Sequence, residues 1–253
     1  MPYARNGDVL VHFEDFEGPQ AAPVVALVFG IGMPLQEWVD FGYVERLRDS
    51  FRVVAIEPRG HGRSSCPREP DAYELGHMAS DIRTVLDGLE IPRVIVWGYS
   101  LGAKIALAFA SSAPDRIEGM VLGGFEPHSE VDPSNDVVAA TLARGGAAWR
   151  DLWQQMFDVP PATADRLARA DTRALRALRQ AEGGWETLAD APRRITAPCL
   201  LYAGEHCFFR DAVRDMAGRF ADARLVERNG ANHFELMPDS GWICAHVRAL
   251  FSA

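Results

Sequence analysis

The sequence predicts an α/β protein with a mostly parallel, doubly wound sheet and one helical insertion. Short apolar runs alternate with segments of helical spacing along most of the chain, an order typical of a parallel sheet with helices on both faces. This alternation stops between Glu126 and Ala191 and then resumes. The 253 residues, 48% of them apolar, suffice for one large domain with a buried core.

The predicted strands before residue 126 are short, apolar and rich in β-branched residues, as strands buried on both faces are. They are Val9–Phe13, Pro23–Phe29, Phe51–Ile56, Arg93–Trp97 and Ile117–Leu122. Segments between them place apolar residues on one stripe of a helix. The predicted helices are Leu35–Asp49, Tyr73–Leu89 and Leu101–Ser112.

Residues 126–191 contain no convincing strand and are predicted as a helical insertion between the two parts of the core, 1–125 and 192–253. Its helical stretches are Val137–Ala143, Trp149–Phe157 and Thr163–Gln180. The alternation of strands and helices then resumes with two strands and two helices. They are Cys199–Ala203, Asp211–Phe220, Ala223–Glu227 and Ser240–Phe251.

The net charge of −9 argues against a nucleic-acid partner, because there is no basic surplus to replace counterions on phosphates. Arginines cluster between Arg166 and Arg179, alternating with Ala, Leu and Asp, as on a solvated helix face. We therefore expect a small-molecule substrate. The sequence carries no signal of an oligomeric state.

We expect a cytoplasmic protein without a membrane partner. Four cysteines without a C-x-x-C pair suit a reducing compartment and disfavour a zinc cluster. The N-terminus, Met1 to Asp8, lacks the apolar core of a signal peptide. The most apolar early run, Val24 to Met33, is too short to span a bilayer.

The segment Gly98-Tyr-Ser-Leu-Gly102 lies between a predicted strand and a predicted helix. A serine on a sharp strand-to-helix turn needs glycines on either side, because side chains there would obstruct the turn. The Ser100 hydroxyl would then stand above the sheet, beside the first N–H groups of the helix. This context predicts a nucleophilic serine, whereas the letters alone would indicate only a glycine-rich turn.

Four segments together resemble the α/β-hydrolase superfamily, in particular its serine esterases with a helical cap. Gly98–Gly102 resembles the nucleophile elbow, and Glu57–Ser64 is similar to the D-x-R-G-H-G-x-S turn, with Glu for Asp. Phe29–Gly32 is similar to the H-G-x-G oxyanion loop, with Phe for His. Gly230–Phe234 is similar to the segment that carries the catalytic histidine, and the insertion at 126–191 resembles the cap.

The resemblance implies that Ser100 attacks a carbonyl carbon, and that His233 takes the serine proton and returns it to the leaving group. It also implies that the backbone N–H groups of Ile31 and Leu101 bind the oxyanion. A serine at position 100 argues against the epoxide hydrolases and dehalogenases of the family, which use a carboxylate nucleophile. No metal or organic cofactor is implied, because the chain supplies nucleophile, base and oxyanion donors.

The third member of the triad departs from the family pattern. The family places an Asp after the strand that corresponds to Cys199–Ala203, and this chain has Cys207 there. A neutral thiol is a weak hydrogen-bond acceptor and stabilises an imidazolium less than a carboxylate does. Three interpretations are open, with the first ranked highest. In the first, Glu126 is the acid and follows the preceding strand, Ile117–Leu122. In the second, Ser100 and His233 act as a dyad. In the third, the chain has lost the acid and is an impaired enzyme or a binding protein.

Aromatic residues of the insertion suggest the substrate. Trp149, Trp153, Met156 and Phe157 fall on one helical face, which serves either packing on the core or an apolar pocket wall. We expect a small, fairly apolar carboxylic ester or lactone, cleaved through an acyl-enzyme intermediate. The alternatives are hydrolysis of a carbon–carbon bond, perhydrolysis, or ligand binding without catalysis.

Overall fold

A computed structural model describes residues 2–128, 131 and 134–252 of the chain. Within these residues eight strands form one sheet, in the order β1-β2-β4-β3-β5-β6-β7-β8. Their bounds are β1 Tyr3–Asn6, β2 Val9–Phe16, β3 Val24–Val28, β4 Arg52–Ile56, β5 Val94–Tyr99, β6 Ile117–Gly123, β7 Cys199–Gly204 and β8 Ala223–Arg228. Strand β2 pairs antiparallel with β1 and β4, and the other neighbours pair in parallel.

The central strands are buried, because helices cover a parallel sheet on its faces. All six residues of β5 and all six of β7 are buried, whereas β8 at the edge is exposed or half-buried along its length. Burial on both faces explains why the central strands are continuous apolar runs without alternation. The mostly parallel sheet confirms the predicted fold class.

The described part of the chain contains ten α-helices. Their bounds are α1 Gln36–Asp40, α2 Tyr43–Leu47, α3 Leu75–Gly88, α4 Leu101–Ser112, α5 Val137–Ala143, α6 Gly146–Met156, α7 Pro161–Arg169, α8 Thr172–Glu182, α9 Arg210–Ala217 and α10 Ser240–Phe251. Helices α5 to α8 lie between β6 and β7, and the described residues between those strands form no further strand. No helix in the described ranges combines the length and apolar character needed to cross a membrane.

Two predicted helices are each broken into two. The segment Leu35–Asp49 forms α1 and α2, which are separated at Gly42, whose φ of +78° cannot continue a right-handed helix. The segment Thr163–Gln180 forms α7 and α8. Asp171 leaves the helical conformation there, and its carboxylate caps α8 by accepting from the N–H of Ala174.

Strand β1 is absent from the sequence-based prediction, because Tyr3–Asn6 contains no apolar run. It joins β2 through a tight turn at Gly7, whose φ is +60°. As an edge strand it is held by backbone pairing rather than by burial of both faces.

Charged contacts join the helices α5 to α8 to the core. Arg166 of α7 donates to both carboxylate oxygens of the buried Glu37 in α1, at 2.6 and 3.0 Å, and Thr163 donates to the same carboxylate at 2.7 Å. The expectation of a solvated arginine face is wrong for Arg166 and Arg179, whose side chains are only 23% and 20% exposed. Carboxylates on neighbouring elements pair with both guanidinium groups and so make their partial burial tolerable.

Candidate active site

Ser100 occupies a strained turn between β5 and α4. Its φ of +55° and ψ of −122° lie outside the regions that residues with a side chain ordinarily adopt. A methyl group at Gly98 would lie 2.3 Å from the Gly102 carbonyl oxygen, and one at Gly102 would lie 2.1 Å from the Val28 carbonyl oxygen. The two glycines therefore allow the close approach of strand and helix that the motif predicts.

The turn after β3 brings a second segment beside the serine. A methyl group added to Gly30 would lie 3.5 Å from Ser100 Oγ, so the chain at Gly30 and Ile31 passes next to the hydroxyl. Leu101 is the first residue of α4, where helix geometry provides no acceptor for its N–H within the helix. Ile31 and Leu101 line the same cavity as Ser100, where the sequence predicts the oxyanion donors.

His233 lies in the loop between β8 and α10 and is 5% exposed. Its ring stacks on Tyr99, the residue before Ser100, at a centroid distance of 5.1 Å, and packs against Phe208 at 4.6 Å. The Tyr99 hydroxyl donates to the His233 carbonyl oxygen at 2.5 Å, which fixes the loop to the end of β5. Burial lowers the pKa of His233 to about 3, so the imidazole is neutral at pH 7.

Ser100 and His233 line one cavity of about 670 Å³, a volume typical of small-molecule pockets. The structure thus places both predicted residues at a single site. Among the described residues, no hydrogen bond joins Ser100 Oγ to the His233 ring. Hydrogen bonds between a nucleophile and its base often tighten only when substrate is bound.

The walls of the cavity are mainly apolar and aromatic. Helices α5 and α6 supply Val137, Val138, Trp149, Leu152, Trp153 and Met156, and the loops near His233 supply Phe208, Phe209 and Phe234. The ring of Trp153 packs edge-on against that of Phe234 at a centroid distance of 5.1 Å. Helix α6 and the loop between β8 and α10 therefore contact each other at the cavity. Phe157, which the sequence predicts on the same helical face as Trp149 and Trp153, does not line the cavity. Its ring stacks on that of Phe234.

Charged residues form another part of the wall, at the boundary of α4 and α8. Lys104 Nζ lies 2.7 Å from Glu182 Oε1 and 3.8 Å from Glu126 Oε1, and Arg179 donates to Glu182 at 2.7 Å. Burial opposes ionisation of Glu182, but Lys104 and Arg179 nevertheless hold the pKa of its carboxyl below the ordinary value. No sequence motif marks Arg179 or Glu182, because only the packing of α8 against α4 brings them to the cavity.

Cys207 contacts the histidine. Its Sγ lies 3.4 Å from His233 Nδ1, at the position where a triad carboxylate would stand. Glu126, the acid ranked first from the sequence, lines the cavity beside Lys104, and its side chain is 31% exposed. The role of Glu126 as the acid therefore stays a prediction, whereas the contact between Cys207 and the ring is observed.

A family model described as "alpha/beta hydrolase fold" matches residues 23–195 of the chain, which include Ser100 and the turn after β3. The chain belongs to the α/β-hydrolase family. A curated relative of this α/β-hydrolase is 2-(acetamidomethylene)succinate hydrolase from Mesorhizobium japonicum, which is 30% identical over an alignment of 217 positions that covers 77% of each chain. Hydrolases are thus among the named members that resemble it.

Other curated relatives match over less of their length. A Bacillus subtilis relative, 29% identical over 111 residues, is covered over 39% of its length. Epoxide hydrolase B from Mycobacterium tuberculosis is 36% identical over 104 residues, which are 40% of this chain and 28% of that enzyme. The chain thus spans less than two thirds of these relatives.

Solved structures share the whole fold. The enol-lactonase from Burkholderia xenovorans LB400 superposes with a TM-score of 0.88 at 24% identity and covers 100% of both chains. A thermophilic esterase from Thermogutta terrifontis superposes with a TM-score of 0.83 at 19% identity, over 98% of this chain and 95% of the esterase. These likenesses, which cover 98% or more of this chain, show that it shares the fold of these structures.

The described residues contain no group of three or more His, Cys, Asp or Glu side chains arranged to hold a metal ion. The predicted site residues that the structure brings together around the cavity are Ile31, Ser100, Leu101, Glu126 and His233. Trp38, which follows the turn after β3, does not line this cavity. It is fully buried, and its ring centroid lies 4.2 Å from that of Phe29.

Proposed function

We propose that this chain is a serine hydrolase that cleaves a small, fairly apolar carboxylic ester or lactone through an acyl-enzyme intermediate. The observation that carries this proposal is Ser100, held in a strained conformation at the first turn of α4 and open to the cavity that His233 also lines. A hydroxyl so placed faces a bound carbonyl carbon, while the helix N-terminus favours negative charge on the carbonyl oxygen.

In the proposed reaction, Ser100 Oγ forms a bond to the carbonyl carbon as its proton passes to His233. Because Nδ1 faces Cys207, the accepting nitrogen is Nε2. The N–H groups of Ile31 and Leu101 stabilise the oxyanion, and loss of one such donor typically raises the barrier by about 3 kcal/mol. The imidazolium then gives the proton to the leaving alcohol, and water attacks the acyl-enzyme by the same route in reverse.

We further propose that residues 126–191 act as the cap that sets specificity. The aromatic wall favours apolar groups on the substrate, and the two cations of the wall, Lys104 and Arg179, already have carboxylate partners in Glu182 and Asp136. A neutral ester or lactone therefore suits the cavity better than the dicarboxylate in the name of the Mesorhizobium relative. The enol-lactonase and the esterases that share the fold support the same substrate class.

Short aryl esters test the proposal directly. We expect wild-type protein to release the phenol from p-nitrophenyl acetate or butyrate, and to gain the mass of a phosphonyl group on Ser100 when treated with a p-nitrophenyl phosphonate. Ser100→Ala removes both signals, with turnover reduced by at least about 10³-fold. Ser111→Ala, on the same helix but beside a different cavity, serves as the matched control and keeps wild-type activity. Full turnover in Ser100→Ala contradicts the serine mechanism.

A non-catalytic binding protein is the second candidate, because a thiol rather than a carboxylate contacts His233. This candidate predicts saturable binding of the ester to wild-type protein and to Ser100→Ala alike, with no phenol released by either. Carbon–carbon bond hydrolysis and perhydrolysis use the same serine and histidine. They are distinguished by assaying β-diketone cleavage and peracid formation beside ester hydrolysis.

A further inference from the structure

Cys207 and His233 form a buried pair at the back of the active site. The distance from Cys207 Sγ to His233 Nδ1 is 3.4 Å, and each residue is 5% exposed. This is hydrogen-bond distance for a contact to sulfur, and it involves the ring nitrogen that faces away from the proposed substrate. The thiol therefore takes the place at which an acid normally orients the histidine.

The loop that carries Cys207 is fixed to the loop that carries His233. Glu205 N–H donates to the Arg228 carbonyl oxygen at 2.9 Å, and His206 N–H donates to the Ala231 carbonyl oxygen at 2.9 Å. A methyl group at Gly204 would lie 2.2 Å from the Ala231 carbonyl oxygen, so the two segments approach as closely as their backbones permit. The separation of the thiol and the imidazole is thus set by backbone contacts on both sides.

The environment of the thiol keeps it neutral but contains donors that suit an anion. Burial raises the pKa of Cys207, while backbone N–H groups of Phe209 and Gly204 act in the opposite direction. At pH 7 the pair is therefore a thiol beside a neutral imidazole. The same N–H groups would also donate to a carboxylate in place of the thiol.

We propose that Cys207 is the positioning residue for His233, and that it orients the imidazole as a neutral hydrogen-bond partner where the family pattern has an acid. This inference rests on the serine-hydrolase function proposed above. Nε2 can accept the Ser100 proton only in the tautomer that carries a proton on Nδ1, and in that tautomer Nδ1–H donates to Sγ. The reaction then runs on Ser100 and His233 without a charged third member.

The lack of a carboxylate beside Nδ1 has a consequence for the pH dependence. A carboxylate stabilises imidazolium and raises the histidine pKa, whereas a thiol does so weakly, and burial lowers the pKa of His233 to about 3. Titratable groups on the elements around the ring are Tyr99 at the end of β5, Glu126 beyond β6, Cys207 after β7 and Glu235 on the histidine loop itself. Lys104, Arg179 and Glu182 line the same cavity.

The test measures kcat and KM for an aryl ester from pH 4 to 9 in wild-type protein and three variants at position 207. In Cys207→Asp an acid limb enters the kcat/KM profile above pH 4, because the carboxylate stabilises imidazolium, whereas the wild-type pKa of about 3 leaves no His233 limb in this range. We also expect kcat to rise at least about tenfold. In Cys207→Ala kcat falls about tenfold while KM changes less than about threefold, because orientation is lost but binding is not. Cys207→Ser, which keeps an acceptor, recovers part of that loss.

Two controls separate orientation from folding. Cys244→Ala removes a thiol that is fully buried in α10, and it keeps the wild-type pH profile. The ¹³Cε1 and ¹⁵N signals of His233 report its tautomer and titration by NMR without activity. We expect the Nδ1–H form in wild-type protein, and a higher titration midpoint in Cys207→Asp.

Coinciding pH profiles for wild type, Cys207→Ala and Cys207→Asp, with unchanged His233 signals, would overturn the inference. So would Glu126→Gln if it alone shifted the His233 titration and reduced kcat, since Glu126 would then be the orienting acid. Neither result would affect the proposed serine mechanism, which is tested separately by the loss of turnover and of phosphonate labelling in Ser100→Ala.

Discussion

Three glycines determine how closely the elements of the site approach one another. Gly98 and Gly102 have no room for a methyl group, and one on Gly124 would lie 2.9 Å from His233 Nδ1. The sequence predicts the first two, because they flank Ser100 in a recognisable segment. Gly124 belongs to no motif, and only the contact between the loop after β6 and the imidazole shows why a side chain is excluded there.

The variant Gly102→Ala tests how much the close packing of α4 on β3 contributes to the free energy of unfolding. We expect Gly102→Ala to lower the free energy of unfolding by more than about 2 kcal/mol, because the methyl group overlaps the Val28 carbonyl oxygen and the backbones must separate. Gly76→Ala in α3 is the control, since no described atom beyond its chain neighbours and its own helix backbone lies within 4 Å of the added methyl group, and a helical Ala is favoured over Gly by about 1 kcal/mol. Urea unfolding at pH 7.5 gives both values. Equal stability of the two variants would contradict this account.

Helices α4 and α8 meet through a buried ion pair beside the cavity. The side chains of Lys104 and Glu182 are 6% and 7% exposed, and their charged atoms are 2.7 Å apart. Charges so deeply buried depend on each other, because neither recovers its hydration. The bounds of α4 agree with the sequence prediction, but its partner does not follow from any helical pattern, since α8 presents both charged and apolar residues.

The variant Glu182→Gln tests how strongly this pair holds α8 to the core. We expect a loss of about 3 kcal/mol in the free energy of unfolding, because the change removes the buried carboxylate that lies 2.7 Å from Lys104 Nζ, and the Glu126 carboxylate at 3.8 Å is more distant. Asp165→Asn in α7 is the control, since its ion pair with Arg169 joins side chains that are 75% and 76% exposed, and such pairs contribute less than about 1 kcal/mol. Equal losses in the two variants, measured by chemical denaturation, would refute the role of burial.

At the scale of the whole molecule, the pH dependence of stability depends on His61 and His233, two described residues whose pKa values burial lowers strongly. Burial lowers the pKa of His61 to about 4 and that of His233 to about 3, from an ordinary value of 6.5. The unfolded chain protonates both below pH 6.5, whereas the folded chain protonates them only below about pH 4 and pH 3. The unfolded state therefore binds more protons at acid pH, and stability rises with pH over this range.

We expect the free energy of unfolding to fall between pH 6.5 and pH 4, by up to about 1.4 kcal/mol per pH unit for each buried histidine. His61→Asn shows a smaller fall than wild-type protein over this interval, because one of the two groups no longer takes up a proton on unfolding. His77→Gln removes an exposed histidine and follows the wild-type curve. Urea midpoints measured at half-unit pH steps provide the comparison, and parallel curves for wild type and His61→Asn would contradict it.

Local patterns in the sequence determined the fold class, the succession of the central strands and helices along the chain, and the segments that carry Ser100 and His233. These features depend on periodicity and on turn residues, which act over a few positions. The sequence prediction missed the breaks at Gly42 and Asp171, because apolar spacing continues across both.

Contacts between residues far apart in the chain were decided only by the tertiary structure. The family resemblance places Cys207 at the acid position, but its 3.4 Å contact with His233 Nδ1 depends on how the loops after β7 and β8 pack together. The contact of Lys104 with Glu182 depends on how α8 packs against α4. Distances of this kind follow from the packing of whole elements, because no local preference of the chain encodes which side chains meet across 26 or 78 residues.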